Sequence, residues 1–203
     1  MFTLCIISKL QTYYISGDTV NKKLIKTEII GFVAVCIVGT LLHFVYKWTG
    51  ENKFFALFCP VGESPWEHLK LLYFPFLIFT ICERVILNKD KFNVFFANYV
   101  GISVGMLLTL NIYYTSLGIT GKQISAVNIA SFFIGVAAAF IISYIMINSS
   151  IGGSLANGIC CALFIVDIII FMLFTFEPPI IPLFQDPQTL QDRAHSTSGY
   201  TIR

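Results

Sequence analysis

HFVYKWTGENKFFALFCPVGESPWEHLKLLYFP, residues 43–75, gathers most of the charged and hydrogen-bonding side chains lying between the long apolar runs of this chain. Within it Ser64-Pro65-Trp66-Glu67 reads as a helix start. Ser64 stands at the N-cap, where its hydroxyl can accept a free backbone N–H of the first turn. Pro65 falls at the first helical position, where a missing N–H costs nothing. Glu67, three residues after Ser64, can reach back to the Ser64 N–H and complete a capping box. Lys70 follows Glu67 by three, so the two can pair along one face. The helix then turns apolar until Pro75, which removes the hydrogen bond to the Leu71 carbonyl and is expected to kink it. In a bilayer the freed carbonyl needs a neighbouring helix or water.

Upstream, Tyr46, Lys47 and Trp48 end an apolar run in the manner of a membrane interface. Residues 54–61, FFALFCPV, are too few to span, since a crossing takes about 20 apolar residues. They are also too apolar for a solvated loop, and are expected to lie in the interface or fold over the helix ends.

The composition agrees with that reading. Of 203 residues, 56% are hydrophobic and 12% charged, and the mean hydropathy is +0.79, which excludes an ordinary soluble domain. The net charge of +2 and the lack of a basic cluster argue against nucleic acid as a partner; the lipid bilayer is the expected one. Four of the six cysteines, Cys36, Cys82, Cys160 and Cys161, sit in apolar runs at no disulfide or zinc-ribbon spacing and read as small packing residues. No cofactor is expected. Residues 1–23 lack the basic start, compact apolar core and small-residue cleavage site of a signal peptide, and read as a cytoplasmic or interfacial leader.

The fold class expected is all-α: a polytopic transmembrane bundle over residues 24–177, with helices at about 27–47, 65–87, 93–116, 122–147 and 151–176. Small or polar residues recur at every fourth position of four helices. They are Gly31, Gly39 and His43 in the first, and Ala97, Gly101, Gly105 and Thr109 in the third. The fourth has Ser131, Gly135, Ala139 and Ser143, and the fifth Ser154, Gly158 and Ala162. Such faces let backbones approach closely in lipid, within one chain or between copies of it. Lys9, Lys22, Lys23 and Lys26 precede the first helix, so the N-terminus is placed in the cytoplasm and the C-terminus outside the cell membrane. Residues 178–203 begin Pro-rich and apolar, suited to capping the mouth beside residues 54–61, and end in a polar tail.

Two acids lie deep in apolar runs, Asp167 near the middle of the fifth helix and Glu83 towards the end of the second. An acid at that depth costs a few kcal/mol unless paired or protonated. The bland readings are an Asp167 bonded to a neighbouring helix and a Glu83 at the interface beside Arg84.

The string PVGESPWEHLKLLYFP, preceded by HFVYKWTG and followed by FEPPIIPLFQDP, resembles an uncharacterised family of small five-helix bacterial membrane proteins. Its most specific part is Glu63, Ser64, Trp66, Glu67, His68 and Lys70; members commonly carry Asn where this chain has Gly62. The resemblance covers about residues 24–190 and implies a five-helix fold, with no activity.

Three functions compete. A small transporter, channel or ligand-binding protein would use Asp167 with the polar constellation His43, Glu63, Ser64, Trp66, Glu67, His68 and Lys70. A membrane-embedded enzyme, metal-dependent or not, would draw ligands from His43, His68 and Glu67, although the spacing matches no zinc motif such as HExxH. In a non-catalytic membrane component the same residues would form a structural clasp.

Overall fold

The computed structural model describes residues 22–87, 93–149 and 151–186, and among these there is no strand. The helices are α1 (Lys22–Trp48), α2 (Lys53–Ala56), α3 (Pro65–Leu87), α4 (Val94–Thr120), α5 (Ser125–Asn148) and α6 (Ser154–Phe176), with a 3-10 turn at Pro182–Phe184. All five expected long helices are present, their ends moved by no more than one or two turns. The leader up to residue 21, Lys89 and Lys91, and the tail with Arg193 and Arg203 lie outside the described residues.

Helices α1, α4, α5 and α6 are long and apolar enough to cross a membrane. Their outer faces carry Ile29, Ile37, Leu107, Ile129, Ile141, Leu155 and Ile165 in the open, as expected of a bundle whose surroundings are lipid tails. Helix α3 differs. It is 23 residues long, about 35 Å, but Glu67, Lys70, Glu83 and Arg84 lower its hydropathy. Glu67, Lys70 and Glu83 are buried, and so is the unbroken run Leu69 to Phe76. The helix least like a membrane span by composition is therefore the central one, touching α1, α4, α5 and α6. Tyr73, Phe74 and Phe76 form the heart of the core with Phe140, Phe164 and Phe171.

The helices alternate in direction, so two ends can be distinguished: a mouth, where α1 ends and α3 begins, and a base, where α3 ends and α4 begins. Helix α3 continues through Pro75. The carbonyl of Leu71, deprived of its helical donor, lies against Gly39 of α1. A Cβ there would stand 2.5 Å from the Leu71 oxygen and 2.7 Å from the Phe132 ring. The neighbouring helix thus meets the freed carbonyl, its backbone coming close because Gly39 has no side chain.

Between α4 and α5 the small residues mesh directly. A Cβ on Gly101 would meet the Ala139 carbonyl at 2.5 Å, and one on Gly105 the Gly135 carbonyl at 2.6 Å. The stripe on α6 does not mesh. Ser154, Gly158 and Ala162 are exposed, and nothing among the described residues lies within 4 Å of a Cβ at Gly158. Helix α6 instead seats larger side chains, with Phe164 and Phe171 buried against Tyr73 and Trp66.

Two segments close the mouth. Ala56, Cys59 and Pro60 are buried, and Phe58 packs on Phe74 with ring centroids 5.2 Å apart, so residues 54–61 fold over the helix ends. From the other side Phe184, in the 3-10 turn, packs against Trp66 with ring centroids 4.8 Å apart, and Trp66 also meets Phe171 at 4.7 Å. The indole thereby fastens the segment after α6 to the start of α3.

Candidate functional site

The polar residues of the mouth divide into a closed set and an open set. The closed set begins at the helix start. The Glu67 N–H donates to the Ser64 hydroxyl at 3.3 Å, so Ser64 caps α3. The reciprocal half of the capping box does not form. One Glu67 carboxylate oxygen accepts instead from the Val61 N–H at 2.9 Å and the Lys70 ammonium at 2.7 Å. Lys70, with no exposed surface, also donates to the Ala56 carbonyl at 3.1 Å and the Thr175 hydroxyl at 2.6 Å. Its three donors are used, as a buried ammonium requires. Glu67 and Lys70 therefore tie residues 56–61, α3 and α6 together, and the Lys70 ammonium has no donor left for a ligand.

The open set is His43, Glu63 and His68. One nitrogen of each imidazole and one Glu63 oxygen all lie within 4.8 Å of one another. His43 descends from the last turns of α1, and its ring centroid is 5.3 Å from that of His68. His68 Nδ1 lies 2.9 Å from the Ser64 carbonyl oxygen. A carbonyl can only accept, so Nδ1 carries the hydrogen. In the neutral ring the lone pair is then on Nε2, which points at Glu63 Oε2 from 3.5 Å. A backbone carbonyl orienting one ring nitrogen while the other is presented outward is the usual arrangement of a metal-ligating histidine. Glu63 is exposed and His43 and His68 are half-buried, so the group is within reach of solvent.

Glu63 and His68 also line a small cavity of about 80 Å³ with Thr109, Tyr113, Gln123, Asn128 and Ser131. The Gln123 amide donates to the Tyr113 hydroxyl at 2.7 Å, one polar contact in that wall. By volume it has room for about five waters, far short of the roughly 300 Å³ at which sites for organic ligands begin.

Asp167 does not join this group. It is half-buried and hydrogen-bonded to the Tyr99 side chain, while the Tyr73 hydroxyl beside it donates to the Phe164 carbonyl at 2.8 Å. Trp66 serves the aromatic stack. Sequence reasoning missed Glu28, which is buried in α1 at the base. The available signal was that Glu28, Gly31, Val35, Gly39 and His43 continue one helical face.

A family model matches residues 17–192. The chain belongs to the family of unknown function DUF6512. The match takes in every described helix and both groups of polar residues at the mouth. No curated protein and no solved structure matches the chain.

Proposed function

We propose that this membrane protein binds a divalent transition-metal ion at the mouth of its bundle, through His43, Glu63 and His68. The observation that carries the reading is the convergence of two imidazoles and one carboxylate drawn from α1, the loop before α3 and α3 itself. Two nitrogens and one oxygen suit zinc or a neighbouring ion, and three protein ligands leave a fourth position open. Ligand atoms about 2.1 Å from one ion stand about 3.4 Å apart at tetrahedral angles, so atoms that now lie within 4.8 Å of one another need draw in by at most about 1.4 Å. Glu63 Oε2 and His68 Nε2 already stand near that spacing, 3.5 Å apart. The adjoining cavity, with room for a few waters, supports handling of an ion with its waters. Lys22, Lys23 and Lys26 at the base support a cytoplasmic base and an extracytoplasmic mouth.

Metal analysis of the purified protein tests the reading. One zinc-class ion per chain is expected. It should be lost from a His43→Ala, His68→Ala double variant and from Glu63→Gln, yet kept in Glu67→Gln, whose carboxylate serves Lys70. Equal metal content in all four proteins would overturn it.

A further inference from the structure

Glu28 of α1, Ser143 of α5, Asn98 of α4 and Glu83 of α3 meet near the base, one from each of four helices. Glu28 is 5% exposed and the other three 0%. Ser143 Oγ lies 3.1 Å from Glu28 Oε1 and 2.5 Å from the Asn98 amide oxygen, and Asn98 Nδ2 lies 2.7 Å from Glu83 Oε2. Among the described residues neither carboxylate makes an ion pair, and Glu28 Oε2 and Glu83 Oε1 have no hydrogen-bond partner. Two buried carboxylates close enough to repel one another would be very costly as a bare pair of negative charges.

Counting hydrogens shows how the network is completed. It has three links: Glu28 to Ser143, Ser143 to Asn98, and Asn98 to Glu83. Ser143 has one hydrogen to give. Asn98 donates from its nitrogen on one side only and accepts with its oxygen on the other. With the Asn98 nitrogen towards Glu83, the short contact between Ser143 and the amide oxygen takes the serine hydrogen, and the first link needs an O–H on Glu28. With the amide turned over, its nitrogen donates to Ser143, Ser143 donates to Glu28, and the last link needs an O–H on Glu83. Both arrangements require one proton beyond those of Ser143 and Asn98.

We infer that these four residues form a proton-binding site, holding a single proton on either Glu28 or Glu83, with the choice coupled to the orientation of the Asn98 amide. The site is separate from the histidine group, at the opposite end of the bundle. Among the described residues, the titratable groups around it are these. Lys23 donates to the Ile86 carbonyl, while Lys26 and Cys82 line a groove between α1 and α3. Tyr144 lines an apolar groove beside Glu28, and Tyr99 is bonded to Asp167. Arg84 neighbours Glu83 in α3 and has a partner of its own.

Infrared spectroscopy of the full chain in lipid tests this, with carbon-13 glutamate to separate these carboxyls from Asp167. One protonated-carboxyl band per chain should be present at neutral pH and should shift with the label. It should vanish in Glu28→Gln and equally in Glu83→Gln, because the glutamine amide supplies the same donor as the acid. A band that survives in either variant would overturn the proposal. So would a labelled unsubstituted chain showing no such band, or two per chain, a measurement that needs no variant to fold.

Discussion

The ammonium of Lys70 in α3 lies 2.6 Å from the hydroxyl of Thr175 in α6, across 105 residues of sequence, while the same nitrogen holds Glu67 at 2.7 Å. This fully buried cation is the point at which the loop, α3 and α6 are joined. Lys70→Ala would leave the Glu67 carboxylate buried with only the Val61 N–H, and such unpaired charges cost about 3–5 kcal/mol. We expect a stability loss of that size in detergent-micelle unfolding. The double variant Lys70→Met, Glu67→Gln should recover most of it, because no charge is then left without a counter-ion. A single variant as stable as the parent would show the clasp to be dispensable.

Gly39 and Gly158 are predicted to differ although both stand in small-residue stripes. Gly39→Ala drives a methyl onto the Leu71 carbonyl and the Phe132 ring, an overpacking that typically costs about 1–3 kcal/mol. Gly158→Ala meets open space among the described residues and gains up to about 1 kcal/mol of helix propensity. Thermal melts of the two variants should therefore move in opposite directions. Melts moving together would contradict the packing described for α1 and α3.

Cys59, in the loop over the mouth, is fully buried. Burial raises its thiol above the ordinary value of 9.0, with Lys70 opposing the shift. Because the folded value is the higher one, the stabilisation is complete below about pH 9 and is lost as pH rises through the folded value. Cys59 should resist a water-soluble maleimide at neutral pH and become reactive on unfolding, as read by mass spectrometry of the labelled peptides. Prompt labelling in the folded protein would mean that the loop does not close the mouth.

The extent to which this chain is legible differs between its helices and its sites. The five long helices could be read from apolar runs, and the start of α3 from Ser64 and Pro65, because these are local properties. A backbone in lipid must satisfy its hydrogen bonds within the segment, so a long apolar run admits little besides a helix. The pairing of Glu67 with Lys70 was legible for the same reason, as neighbours on one helical face. The reciprocal half of the capping box was not, since Val61 and Lys70 compete for the Glu67 carboxylate, and both contacts exist only once the loop has folded.

The sequence by itself thus determined that the chain forms a bundle of long apolar helices with its conspicuous polar string at one mouth. Only the tertiary structure decided that Glu63 meets the two histidines while Glu67 is spent on Lys70. It likewise decided that the small stripe of α6 faces outward and that Glu28 and Glu83 share a buried network. The reason is rotational: a helix can be recognised from its own residues, but the direction each side chain faces depends on how its helix turns against the others, and that is set by packing among segments far apart in the chain.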